Sequence, residues 1–174
     1  MKLIILFLIF FGMDTFAKTI ELKQQSRSII INEKSGWKLS KNILGMPFIY
    51  ISPKKNGQRS NISFTDTGSN LSLNIKSLAL GQGDYQLNKK EWAKGIGATK
   101  LNFFPYTVKI NKHGHKIHEI GLTFEEASQN YKEKSHYIEC RGNIFFSKSL
   151  RLLKNVEHEN DFDDIINNLD CSGI

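Results

Sequence analysis

The longest patterned stretch of this chain runs from Tyr106 to Lys154, where apolar and polar residues alternate between short turns. Tyr106 to Ile110 leads into the turn Asn111-Lys112-His113-Gly114. Lys116 to Phe124 follows, with Ile120, Leu122 and Phe124 at every second position. A polar spacer then precedes His136 to Arg141, Gly142-Asn143 breaks the chain again, and Ile144 to Leu153 completes the run. Period-2 alternation punctuated by Gly/Asn turns predicts an antiparallel meander. This segment is expected to form the central sheet.

Weaker versions of the same pattern come earlier. Ile20 to Leu22 and Ser28 to Ile31 read as two strands joined through Gln24 to Arg27, and Trp37 is expected to anchor the core from the start of a third. Met46-Pro47 leads into Phe48 to Ile51, with Pro47 at a strand's first residue or on an edge. Asn61 to Thr65 points Ile62 and Phe64 inward, and the turn Asp66-Thr67-Gly68 ends this part. Residues 69–83 fit both periods, since Leu71, Leu73 and Ile75 alternate while Leu71, Ile75 and Leu78 share a helical face. Asp84 reads as the N-cap of a helix to about Ala98, with Tyr85, Trp92 and Ile96 on one face. Pro105 interrupts the next run, Leu101 to Tyr106. Asn160 or Asp161 caps a last helix to about Leu169. There Phe162, Ile165, Ile166 and Leu169 are spaced as one helical face, and acids crowd the first turn. The order predicts an α+β fold, an antiparallel sheet covered by an internal helix and a C-terminal helix.

Residues 1–17 stand outside that pattern. Lys2 precedes an unbroken apolar run from Leu3 to Phe11, and Thr15-Phe16-Ala17 ends in a small residue. These are the parts of a secretory signal peptide cleaved before Lys18. The run is too short to span a bilayer, and no cysteine follows the cleavage point to carry a lipid. The expected mature chain, residues 18–174, is one exported domain without a transmembrane anchor.

Export changes how the two cysteines read. In an oxidising compartment Cys140 and Cys171 are expected to form a disulfide stapling the last helix to the sheet. Charge is uneven as well. The net charge is +7, but residues 155–174 hold six acids and no Lys or Arg, which leaves the rest at about +13. A basic body points to acidic polymers or anionic surfaces. The alternative is an acidic helix docked on its own basic sheet. Candidate anion-binding residues are Lys54, Lys55 and Arg59 in one loop and Lys89, Lys90 and Lys94 on the internal helix. Lys148, Arg151 and Lys154 add charge to the last strand. Export favours cell-surface polymers over nucleic acid as the anionic partner.

Few residues point to chemistry. His113 and His115, two apart near a turn, are the only metal candidates, and His118 falls on the opposite face. Glu119, Glu125, Glu126 and Glu139 are acids whose spacing selects no catalytic pair. There is no Gly-x-Ser-x-Gly elbow and no phosphate-binding loop, so no cofactor is expected.

Several features in order resemble the PsbP-like superfamily, which includes the Ran-binding Mog proteins and bacterial exported lipoproteins. They are Gly36-Trp37, Met46-Pro47-Phe48, Asn61-Ile62-Ser63, the Lys90-Glu91-Trp92 helix, the Gly114 hairpin, the Tyr137 to Phe146 strand pair and a helix after Lys154. The resemblance covers nearly all of the mature chain and implies a PsbP/Mog-type α/β/α sandwich. It implies no shared catalytic residues, and a binding or assembly factor with a protein partner in the envelope. A binder of anionic envelope polymers, and a metal-dependent or acid/base hydrolase built on His113 and His115, are the two competing expectations.

Overall fold

The computed structural model describes residues 18–24, 27–43, 45–68 and 82–171. Residues 1–17, expected from their composition to be a signal peptide, and most of the ambiguous 69–83 stretch lie outside these residues. Among the described residues, ten strands and two helices follow in the order β1 (Thr19–Gln24), β2 (Arg27–Asn32), β3 (Lys38–Ile43), β4 (Met46–Ile51), β5 (Asn61–Gly68), α1 (Gln82–Ile96), β6 (Thr99–Phe103), β7 (Thr107–Ile110), β8 (Lys116–Glu126), β9 (Gln129–Cys140), β10 (Asn143–Leu152) and α2 (Val156–Asn167). The fold is α+β. One antiparallel sheet has the order β3-β4-β5-β10-β9-β8-β6, with β7 also paired to β8, and β1-β2 forms a separate hairpin.

Both faces of this sheet are covered, which is why its strands are apolar at positions of both parities. Ile117 and Leu122, five apart on β8, point to opposite sides. Ile117 joins Phe48, Phe64, Ile138 and Phe145 in a core closed by the β1-β2 hairpin and by Phe162, Ile165 and Ile166 of α2. Leu122 and Phe124 join a smaller cluster closed by Tyr85, Trp92 and Ala93 of α1. Trp37 lies just before β3 and packs edge-on against Phe162 and His158. Pro47 sits in the part of β4 that pairs only with β3, before the β5 ladder starts at Phe48. Its missing N–H takes no bond from that second ladder.

Four expectations change. The polar spacer between Phe124 and His136 is strand on both sides of a two-residue turn, because β8 runs to Glu126 and β9 starts at Gln129. Thr65 does not end β5. Asp66 and Gly68 continue the ladder opposite Phe145 and Ile144. Helix α1 starts at Gln82, so Asp84 lies in its first turn, and Ile96 is exposed while Ala93 takes the buried position. Helix α2 starts at Val156, about five residues earlier than its apolar spacing indicates, and His158 is the extra buried residue.

The β8–β9 turn also yields a stability prediction. Ala127 and Ser128 both hold positive φ, 47° and 61°, in a two-residue hairpin that favours Asn-Gly. A left-handed non-glycine residue costs about 1–2 kcal/mol. Replacing the pair with Asn-Gly should therefore raise stability by roughly 1 kcal/mol, read as a higher urea midpoint with an unchanged slope.

Candidate functional site

At the β7–β8 turn, Asn111 is buried. Its Oδ1 accepts the N–H groups of His113 and His115, both at 3.0 Å, while its Nδ2 donates to Leu169 O at 2.7 Å. One amide thus ties the hairpin to the end of α2. His115 Nε2 accepts the Cys171 N–H at 3.1 Å and lies 3.1 Å from Asp170 Oδ1. His113 Nδ1 is 4.0 Å from Asp170 Oδ2. The two imidazoles stack with centroids 6.4 Å apart and face the C-terminal segment. The His115 lone pair is therefore directed at the protein's own backbone. Among the described residues no group of three or more His, Cys, Asp or Glu is arranged to hold a metal ion.

The other histidines are buried. His118 lies between the Tyr106 hydroxyl at Nδ1 and Glu139 Oε1, 2.6 Å from Nε2. An ionised carboxylate only accepts, so Nε2 carries the proton and Nδ1 takes the phenol's hydrogen. The order carboxylate, imidazole, hydroxyl is that of a hydrolase triad. Burial and the Glu139 charge raise the pKa of Tyr106. Structurally, the unit pins the residue preceding β7 onto β8 and β9. Ser60 Oγ lies 2.7 Å from His158 Nδ1, but both side chains are sealed in the core beside Trp37.

Beneath α2, acids of the helix meet cations of the strands. Glu159 contacts Lys132 and Arg151 and lies 3.2 Å from Lys134 Nζ, which is also 3.2 Å from Asp163 Oδ1. Glu119 extends this layer to His136, 3.2 Å away, and to Lys109 at 3.1 Å. Burial works to raise the Glu159 pKa, but the Lys132 hydrogen bond and the Arg151 and Lys134 charges hold it down at about 2. Burial of Glu119 is outweighed in the same way by His136, Lys134 and Lys109, so it ionises well below the usual carboxylate range. His136 is pushed down by burial, which outweighs the opposing pull of Glu119.

The sign of the pH dependence follows. An unfolded chain takes up a proton on histidine near 6.5 and on glutamate near 4.5, where the folded chain does not. The carboxylate contribution is therefore complete above about pH 4.5 and is lost as pH falls through the folded values, and the histidine loss starts below about 6.5. Urea midpoints should fall gently between pH 6.5 and 5 and steeply below 4.5. A flat profile down to pH 3.5 would contradict this assignment.

The basic candidates separate. In the 53–60 loop, Asn56-Gly57 forms the tip and the Asn56 amide donates to Asn155 Oδ1 at 2.6 Å. Lys54 is exposed, Lys55 meets Glu157 at 2.5 Å and Arg59 donates to Ser52 O at 2.9 Å. This loop is tied to α2, whereas α1 packs on the opposite face of the sheet. On α1, Lys90 and Lys94 are exposed. Lys89 departs from the expected anion surface. It turns inward, 2.5 Å from Glu133 Oε1 and 4.6 Å from the Trp92 ring centroid. Arg151 is likewise buried, donating to Leu152 O and Leu153 O. The acidic helix on a basic sheet is thus realised, and the six candidate cations do not form one patch.

A different feature emerges at the sheet edge. On β7, Val108 is 49% and Ile110 71% exposed, and β7 pairs with β8 alone among the described residues. Sequence reasoning read this segment as a strand and did not single out its surface. The available signal was a run, residues 99–118, holding four lysines and three histidines and no acid.

The sheet with its two covering layers is a PsbP-like α+β fold. The chain is similar in structure to cyanobacterial PsbP (CyanoP) from Synechocystis sp. PCC 6803, with 10% identity and a TM-score of 0.63, covering 92% of this chain and 96% of that one. It is also similar to LpqN of Mycobacterium tuberculosis, a protein involved in cell envelope biogenesis, with 11% identity and a TM-score of 0.56, covering 90% and 91%. No protein-family model and no curated protein matches the sequence. At these identities the likeness defines the fold.

Proposed function

We propose that this chain is an exported accessory protein of a bacterial envelope, one domain over residues 18–174, that works by binding another protein. The observation that carries this reading is the pair of exposed apolar side chains on β7, an edge of a PsbP-like sheet. Three features support it. The N-terminal 17 residues have signal-peptide composition. Cys140 and Cys171 form a disulfide-compatible pair, Cα–Cα 5.7 Å. No helix among the described residues is long and apolar enough to cross a membrane. The involvement of LpqN in cell envelope biogenesis agrees with the compartment.

The test is site-specific photo-crosslinking in the native envelope, with the photoreactive residue at Lys112 beside β7 and, as control, at Lys94 on α1. A discrete protein adduct from Lys112 is the expected result. Adducts absent from both positions would count against the reading. Labelling of anionic polymer that vanishes between low and moderate salt would replace the protein partner with a polymer.

A further inference from the structure

We propose that β7 is the docking edge for an extended segment of a partner protein in which apolar and acidic residues alternate, added as one further strand beside β7. This deepens the reading just given and rests on it.

Backbone geometry comes first. The Asn111 N–H donates to His115 O at 3.0 Å, and the β7–β8 register pairs Lys109 with Ile117 and Thr107 with Glu119. Hydrogen-bonded and non-bonded pairs alternate along an antiparallel ladder. Lys109 and Thr107 therefore bond to β8, and Val108 and Ile110 turn their N–H and C=O groups outward. Their side chains are the exposed apolar ones of the strand, both on the same side of the sheet. The edge thus offers main-chain bonds for affinity and an apolar pair for register, the combination used in strand addition.

Charge then selects the partner. No acid lies between residues 99 and 118. The carboxylates that meet Lys100, Lys109 and Lys116 come from β8 and β9, and each is more buried than its ammonium group. Lys112 is bonded to the neutral Asn168 Oδ1 at 2.9 Å. The outermost charge along this edge is therefore positive, and an acidic strand complements it. Size excludes a larger occupant. Four residues bounded by Pro105 and the Asn111 turn cannot approach the ~800 Å² per partner of a stable interface between folded proteins. Pro105 also keeps pairing from spreading along the edge. The Tyr106–His118–Glu139 unit holds the start of β7 in place before any partner arrives, which limits the ordering cost of binding.

The test uses the full mature chain and three synthetic heptapeptides: alternating Val and Glu, alternating Val and Lys, and the Val/Glu peptide with every backbone amide N-methylated. Amide exchange by NMR is the readout. The Val/Glu peptide should slow exchange at Val108 and Ile110, the lysine peptide should bind about tenfold more weakly, and the methylated peptide should not bind. Val108→Pro removes an outward N–H and should abolish binding without moving the melting midpoint. Ile110→Lys serves as a second variant should the first not fold, and should weaken binding about tenfold. Protection located elsewhere, or equal binding by the methylated peptide, would overturn the proposal. So would concentration-dependent self-association that Val108→Pro abolishes, which would make a second copy the occupant. An envelope adduct that persists in Val108→Pro would keep the accessory-protein reading while removing this edge from it.

Discussion

Reducing the Cys140–Cys171 bridge should lower the melting midpoint by roughly 6–16 °C. The two cysteines are 31 residues apart, and the enclosed segment contains the central strand β10 and helix α2. On the chain-entropy account, cross-linking a loop of that length stabilises the fold by about 3–4 kcal/mol. For a domain of this size each kcal/mol shifts the midpoint by roughly 2–4 °C. The bridge does not act alone, because Asp170 exchanges two backbone bonds with Ile30 and Asn111 holds Leu169 O. The reduced chain should therefore still melt cooperatively, and the double substitution Cys140→Ala with Cys171→Ala should behave like it. Confirmed thiol release with no change in midpoint would remove the bridge from the account of stability.

The second large effect belongs to Glu133. Its carboxylate and the Lys89 ammonium are both mostly buried between α1 and the sheet, side chains 5% and 14% exposed. Glu133→Ala leaves a buried ammonium without its counter-charge, and breaking such a pair from one side costs about 3–5 kcal/mol. Lys89→Met alone should cost a comparable amount by stranding the carboxylate. Combining Glu133→Ala with Lys89→Met removes both charges. The double variant should then recover more than half of the loss, because methionine packs well against Trp92 and Tyr85. Urea denaturation of the four proteins gives the coupling directly. Additive losses would show that the pair does not act as a unit.

That pair also explains where the sequence misleads. Residues 125–135 lack apolar alternation because β9 uses charge on both faces. Lys132 and Lys134 point to the acids of α2, while Glu133 points to Lys89. A charged strand reads as a spacer until its partners are known. The turn inside it was hidden for a related reason, since Ala127 and Ser128 take left-handed conformations without the glycine that normally signals them. The Tyr106–Ile110 strand, the Asn111–Gly114 turn and the Ile120–Leu122–Phe124 face were legible, because Gly/Asn turns and period-2 burial are local properties. The start of α2 was not. His158 is buried there by Ser60 and Trp37, residues about 100 or more positions away, which no local window contains. The β7 edge was half legible. Its composition is in the sequence, but which of its residues face outward depends on the register with β8.

Helix α2 serves this molecule as a built-in counterion. Lys132, Lys134 and Arg151 form a cationic floor that Glu159 and Asp163 neutralise from above. A proteolytic clip near Lys154, combined with reduction of the Cys140–Cys171 bridge so that the helix can lift away, would uncover that floor on an already basic protein. The clipped form would adhere to resin, nucleic acid or anionic lipid far more avidly than the intact chain.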